Sequence, residues 1–237
     1  MMIQNGEKNT ISNIGFRIVK DFKRADSKII EGFKGIATPN IGDVMGRFRA
    51  MDYRIKTINK PGIHIVGNAF TVRTHPSDNL LVHKAMDLAK PGDIIVIDAC
   101  GDMGNAILGE LMCHYAKVKQ IAGYIVDGPI RDLQAIAEMG FPVFARGGTP
   151  RGPYKEGPGE INTTISCGNV PVNPGDIIVA DDDGIVVIPI EDANNVLEKA
   201  KAVQQKEAGI IQAIYNGTWD RSWVDETLMQ KECEIID

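Results

Sequence analysis

Several things are scarce or missing in these 237 residues, and each absence removes a class of function. The four cysteines, Cys100, Cys113, Cys167 and Cys233, form no CxxC pair, which excludes a zinc knuckle and a dense disulfide framework and leaves reduced thiols, expected to be mostly buried. No apolar run approaches the roughly 20 residues of a membrane helix. The first ten residues are polar, without the apolar core of a secretory leader, so a cytoplasmic protein is expected. Positive charge is not in excess: 26 Lys+Arg face 31 Asp+Glu, a net charge of -5 that draws neither nucleic acid nor an anionic membrane. His75, His83 and His114 show no HxH or HExxH spacing, and His83 and His114 are expected to pack on their helices. The glycines form neither GxGxxG nor a Walker loop, Asp181 to Asp183 lacks the rest of a calcium loop, and no Ser/His/Asp or Cys/His set can be ordered.

What is present is ordinary globular material, 43% hydrophobic and 24% charged, long enough for one large domain with a real core. Ile14, Ile18, Val19, Phe22, Ile29, Ile30 and Phe33 follow helical spacing and predict a helix from Ser12 to Phe33. Thr38-Pro39-Asn40 reads as the entry to a short second helix. Strand-like text at Ile63 to Arg73, Ile94 to Ile97, Ala122 to Val126 and Ile185 to Ile188 alternates with helical text at Asp78 to Leu88, Gly104 to Lys117, Arg131 to Met139 and Glu191 to Tyr215. That order predicts a layered α/β architecture. Pro91-Gly92-Asp93-Ile94-Ile95-Val96 recurs letter for letter at Pro174 to Val179, implying two similar turn-into-strand units. The glycine- and proline-dense stretch from Arg146 to Gly159 reads as a surface loop whose tip borders the active site. The division expected is a helical segment over residues 1–34, an α/β body over 35–210, and a charged tail over 211–237 that packs on the body or on a neighbouring subunit.

The chemistry concentrates in Gly109-Glu110-Leu111-Met112 and in Asp127-Gly128-Pro129-Ile130-Arg131-Asp132, with room for one helix and one strand between them. Arginine offers a planar, permanently charged fork to a carboxylate, and an adjacent Asp can hold a hard cation through oxygen. Together they fit an anionic 2-oxo acid. Gly109 at a loop–helix junction would let such an anion approach the amides that follow. Taken alone, Arg131-Asp132 is equally consistent with a surface pair at a helix start, Glu110 with a solvated carboxylate, and Glu207 with an exposed Lys-Glu pair.

These motifs, taken with Asp78-Asn79, Pro91-Gly92-Asp93, Pro174-Gly175-Asp176 and Asp183-Gly184 through Pro189, resemble in order and spacing the RraA-like family over about residues 35 to 210. The family includes 4-hydroxy-4-methyl-2-oxoglutarate aldolases, enzymes with oxaloacetate decarboxylase activity, and a regulator that binds ribonuclease E. The resemblance implies a β/β/α sandwich related to swivelling phosphohistidine-type domains, assembled as a homotrimer or homohexamer. It implies Asp132 as ligand to Mg²⁺ or Mn²⁺, Arg131 on the pyruvyl group of a small 2-oxo acid, and the Leu111 and Met112 amides on its carboxylate. Glu110 stands where the aldolase pattern has Asp, acting on water, and Ala135 stands where a related pattern is acidic. Glu207 matches a carboxylate supplied from an adjacent subunit. The implied reaction is retro-aldol cleavage to pyruvate enolate, which decarboxylation of oxaloacetate also forms; the alternative is a non-enzymatic regulator of ribonuclease activity.

Overall fold

A computed structural model describes residues 13–236. In chain order the elements are β1 (Phe16–Ile18), α1 (Ser27–Phe33), α2 (Thr38–Val44), β2 (Lys56–Thr57), β3 (Ile65–Thr74), α3 (Leu80–Leu88), β4 (Ile94–Asp98), α4 (Glu110–Val118), β5 (Gly123–Ile130) and α5 (Leu133–Met139). They continue as β6 (Val143–Gly148), β7 (Gly159–Ile161), β8 (Ile165–Cys167), β9 (Val170–Val172), β10 (Ile177–Ala180), β11 (Ile185–Ile188), α6 (Ala193–Tyr215) and α7 (Ser222–Gln230). No helix among the described residues is long and apolar enough to cross a membrane.

Strands β3, β4, β5 and β6 lie side by side and parallel, the arrangement that βαβ crossovers through α3, α4 and α5 produce. Every residue of β4 and β5 is buried, which is why Ile94–Ile97 and Tyr124–Val126 read as continuous apolar runs rather than alternating ones. One face of this sheet packs on α3, α4 and α5 through Ile95, Ile97, Val126, Met112, Cys113 and Ile136. The other face meets a second β layer made of β10, β11 and the β8–β9 hairpin. Ten-residue β3 belongs to both layers: Ala69–Arg73 pairs with β4, and Ile65–Asn68 pairs with β10. The outer face of β10 and β11 is covered in turn by α1, α2 and α6, with Phe33, Ile41, Val196 and Ala200 buried there. The two β layers and their helices are the α/β fold expected, with a helical layer on each outer face.

The repeated Pro-Gly-Asp text folds the same way twice. The Asp93 carboxylate accepts from Lys90 N–H at 2.8 Å, and the Asp176 carboxylate accepts from Asn173 N–H at 2.8 Å. Gly92 and Gly175 take φ of +84° and +89°, a region costly for residues with a Cβ. Each turn then delivers a strand to one side of β3. Arg24 closes over the first turn with two hydrogen bonds to Asp93 while its guanidinium lies 4.1 Å from the Phe22 ring centroid.

Two expectations need correction. The helix predicted from Ser12 to Phe33 is confined to Ser27–Phe33, and Ser12 lies outside the described residues. Phe16–Ile18 is instead a strand parallel to β7, residues 19–26 form no regular element, and the Asp26 carboxylate accepts from Lys28 N–H and starts the helix. Apolar residues spaced by two and by four satisfied the helical template, and pairing with β7 decided between them. The thiols are free but only half of them are buried: Cys113 and Cys167 are, whereas Cys100 and Cys233 are exposed. Burial pushes the Cys113 thiol up to about 12, with the Asp132 and Glu110 charges adding to it.

Gly67, where β3 passes from one layer to the other, has no room for a side chain. A Cβ there would run into the Gly92 carbonyl and sit 3.0 Å from Ile94. Gly67→Ala is therefore expected to lower stability by about 1–3 kcal/mol, the scale of overpacking. Urea unfolding measures it, and an unchanged midpoint would refute the close approach.

Candidate active site

The ends of β4 and β5 bring the two informative sequence stretches together. After β4, residues 99–109 loop across the carboxyl end of the sheet before α4 begins; the Ile107 amide donates to Pro129 O at 2.8 Å and the Arg131 amide to Leu108 O at 3.0 Å. Gly109 is the cap residue of α4, so the helix expected from Gly104 begins only at Glu110 and residues 104–109 belong to the loop. The Gly109 backbone is extended, so the constraint is space, not conformation: a Cβ would lie 2.5 Å from Asp132 Oδ2 and 3.0 Å from Arg131 Cγ. Asp132 Oδ2 in turn accepts from the Glu110 amide at 3.1 Å. An aspartate 22 residues away thus supplies the capping oxygen that Gly109 lacks.

Asp132 itself sits at the start of α5 in the left-handed region, φ +60°, and makes no side-chain cap there. A non-glycine residue held in that region costs of the order of 1 kcal/mol or more, and such strain gathers at functional sites. Asp132 thus stands at the start of its own helix while its carboxylate is aimed at α4. Arg131 Nε stands 3.7 Å from the same oxygen, and the two side chains remain 46% and 41% exposed, open to a ligand. Glu110 points along α4 to His114, at 3.5 Å.

Gly109, Leu111, Met112, Arg131 and Asp132 line one cavity of about 190 Å³ together with Leu108, Asn79, His83, Pro153 and Lys155. None of the latter five was singled out from the sequence as a site residue. Asn79 and His83 come from α3 and its start, and Lys155 from the glycine- and proline-rich loop, which does border the site. That loop is tied down by buried Asp78, whose carboxylate accepts from the amides of Glu156 at 2.6 Å and Gly157 at 3.0 Å. His83, expected only to pack on its helix, faces the cavity; burial holds its imidazole below the usual range, with the Lys155 charge acting in the same sense. A larger, mainly apolar groove of about 540 Å³ between α3 and α4 adjoins this cavity through His83, Leu111 and Met112.

Of the two amides expected at a substrate carboxylate, that of Met112 turns back to Gly109 O at 3.1 Å, whereas that of Leu111 has no acceptor among the described residues. Glu207 is not in the cavity of its own chain. It lies on α6, in the outer helical layer, and takes a 2.6 Å hydrogen bond from the Asn40 side chain. As for a metal, no group of three or more His, Cys, Asp or Glu side chains among the described residues could hold one. Asp132 keeps its second oxygen for a ligand, and Mg²⁺ characteristically takes one or two carboxylates and completes its shell with water and substrate oxygens. The donor set fits a hard cation held in that open manner and does not fit a closed protein cage.

The family model described as RraA-like, covering aldolases and RraA, matches residues 38–187. A Halalkalibacterium halodurans protein provisionally named a 4-hydroxy-4-methyl-2-oxoglutarate aldolase is 44% identical over 191 residues, 81% of this chain and 90% of that one. Among solved structures, Streptomyces coelicolor RraAS2, described as an unusual member of the RNase ES inhibitor RraA family, superposes with a TM-score of 0.73 at 27% identity, over 79% of this chain and 98% of that one. An uncharacterized protein from Pseudomonas syringae pv. tomato gives a TM-score of 0.74 at 26% identity, over 83% and 96%. With more than half of its length inside the family model and a 44% identical relative covering 81% of it, the chain belongs to the RraA-like family.

Proposed function

We propose that the protein is a divalent-metal-dependent carbon–carbon lyase that cleaves 4-hydroxy-4-methyl-2-oxoglutarate, or a related 4-hydroxy-2-oxo acid, to pyruvate and a second 2-oxo acid, and that it also decarboxylates oxaloacetate. The observation that carries this reading is the hydrogen bond from the Glu110 amide to Asp132, which sets an arginine, a carboxylate and a helix start around one small cavity, with the Glu110 side chain just outside its lining.

In this reading Arg131 binds the pyruvyl end of the substrate, its fork matching a carboxylate and its charge lying where the enolate develops. The Leu111 amide, at the positive end of α4, adds a donor to the same carboxylate. Glu110 accepts, through water, the proton of the C4 hydroxyl; the C3–C4 electron pair moves to the enolate, which C3 protonation converts to pyruvate. Mg²⁺ or Mn²⁺ held by Asp132 supplies Lewis acidity toward the 2-oxo oxygen. With oxaloacetate the same enolate forms by loss of CO₂. Glu207, remote from its own chain's cavity, serves the site of an adjacent subunit in a homotrimer or homohexamer, and the protein works in the cytoplasm. The alternative, a protein-binding regulator of ribonuclease activity, is favoured by the likeness to Streptomyces coelicolor RraAS2.

Pyruvate release from 4-hydroxy-4-methyl-2-oxoglutarate and from oxaloacetate, with Mg²⁺ or Mn²⁺ and again with excess chelator, tests the proposal. Chelator-sensitive release from the first substrate is expected, and none from either would favour the regulator. Arg131→Ala should lower kcat/KM by roughly tenfold or more, the scale of a lost charge-assisted pair; unchanged kinetics would remove Arg131 from the site. Asp132→Ala should abolish metal-dependent turnover. Gly109→Ala should also cost about tenfold or more, because a misplacement of about 1 Å is enough to do so, while the unfolding midpoint moves little.

A further inference from the structure

Beneath the cavity, on the opposite face of the sheet, runs a row of charged side chains that the proposed chemistry does not use. Arg73 on β3, Asp98 on β4 and Asp127 on β5 are register partners, and Arg146 on β6 binds Asp127 through Nε. The row continues to Asp52, 3.5 Å from Arg146 Nη1, and to Arg54, whose side-chain and backbone hydrogen bonds hold the Asp52 carboxyl far below the usual carboxylate range. Asp127 spends both oxygens on distant partners: one accepts from Arg146, the other from the Gly168 amide at 2.8 Å. The side chains of Asp127 and Arg146 are 8% and 10% exposed. Beside them Asp98 has its carboxyl raised by burial.

The location of this node matters more than its charge. The β5–β6 register shifts between Val126 and Pro129, so three steps on β5 answer two on β6 just where Asp127 stands. Such a bulge re-aims the chain that follows it, here Arg131-Asp132. The loop that delivers Gly109 and Glu110 rests on the same point. The Gly101 amide donates to Asp127 O at 2.9 Å, and a Cβ on Gly101 would lie 3.5 Å from Arg146 Nε and 3.6 Å from Asp127 Oδ1. A Cβ on Gly128 would lie 3.1 Å from Ala99 Cβ. Both halves of the cavity therefore start from one nearly buried ion pair. A pair of this kind adds little net stability over a well-packed apolar pair, and breaking it leaves a charge stranded. Fixing one backbone geometry is a use that remains for it.

We propose that Asp127 and Arg146 form a positioning pair that holds the 99–109 loop and the end of β5 in mutual register, so that Glu110 and Asp132 meet. Its catalytic meaning rests on the function proposed above; its structural content does not. Asp127→Asn is a sharp probe, because both carboxylate oxygens face donors and an amide must turn its NH₂ toward one of them. Arg146→Lys keeps the charge and removes the fork.

The experiment is hydrogen–deuterium exchange on the full-length protein without substrate, comparing segments 104–112 and 128–135 with the β4 segment 94–98. In Asp127→Asn, exchange in the first two segments should quicken by about tenfold or more while β4 stays unchanged, with Arg146→Lys giving a smaller change in the same places. Unaltered exchange in both variants, or equal acceleration in β4, would overturn the proposal, the latter by making the pair a general stabiliser. If Asp127→Asn does not fold, Arg146→Lys decides by the same comparison. Where the wild type releases pyruvate, kcat should fall in step with the exchange. A wild type that releases none would sink the lyase reading and leave the exchange result standing.

Discussion

Parallel pairing of β4 with β5, deep inside the molecule, is the constraint on which the rest depends. Ile94–Asp98 and the partner residues from Gly123 to Asp127 are buried on both faces, one set of side chains against α3, α4 and α5 and the other against the second β layer. Parallel strands require a crossover, and the crossover here is α4. The pairing therefore fixes where α4 starts and where β5 ends, and the carboxyl ends of the two strands open at one edge. That edge is where ligands characteristically bind in parallel sheets.

Backbone amides at three helix starts are satisfied by side-chain carboxylates. Asp132 reaches the first amide of α4, and Asp181, in the β10–β11 turn, takes both the amide and the hydroxyl of Thr38 at the start of α2. Asp78 serves Leu80 N–H at the start of α3 with one oxygen and two amides of the cavity-bordering loop with the other. Each bond satisfies an orphan donor and joins segments that the sheet alone would leave independent. Only at α4 does the borrowed cap also leave an arginine and an open carboxylate oxygen beside a cavity.

The proposed chemistry fits the modest size and openness of that cavity. A 2-oxo acid is small and anionic, and a site completed by water and substrate oxygens needs few protein ligands. Arg131 and Lys155 bring positive charge to the cavity wall while the molecule as a whole is acidic. The attraction that the proposed function requires is thus local to the cavity wall. The long α6 carries Glu207 in the outer layer, and α7 beyond it contains no fully buried residue. Both are available to a neighbouring copy in the assembly proposed.

Sequence determined what depends on nearest neighbours and on solvent exclusion. A run such as Ile94-Ile95-Val96-Ile97 is a doubly buried strand in almost any context, and Pro-Gly-Asp turns the chain in the same way twice. The order and spacing of these motifs also carried the family resemblance, and with it Arg131-Asp132. Tertiary structure decided what depends on distant partners. Phe16–Ile18 became a strand because β7 was there to pair with it. Asp132 caps α4 and not its own helix, Lys155 and Asn79 reach the cavity from other elements, and within its own chain Glu207 bonds Asn40. The physical reason is the same throughout: propensity and periodicity are local quantities, whereas hydrogen-bond partners and the room left by a missing side chain are set by segments far apart in the chain.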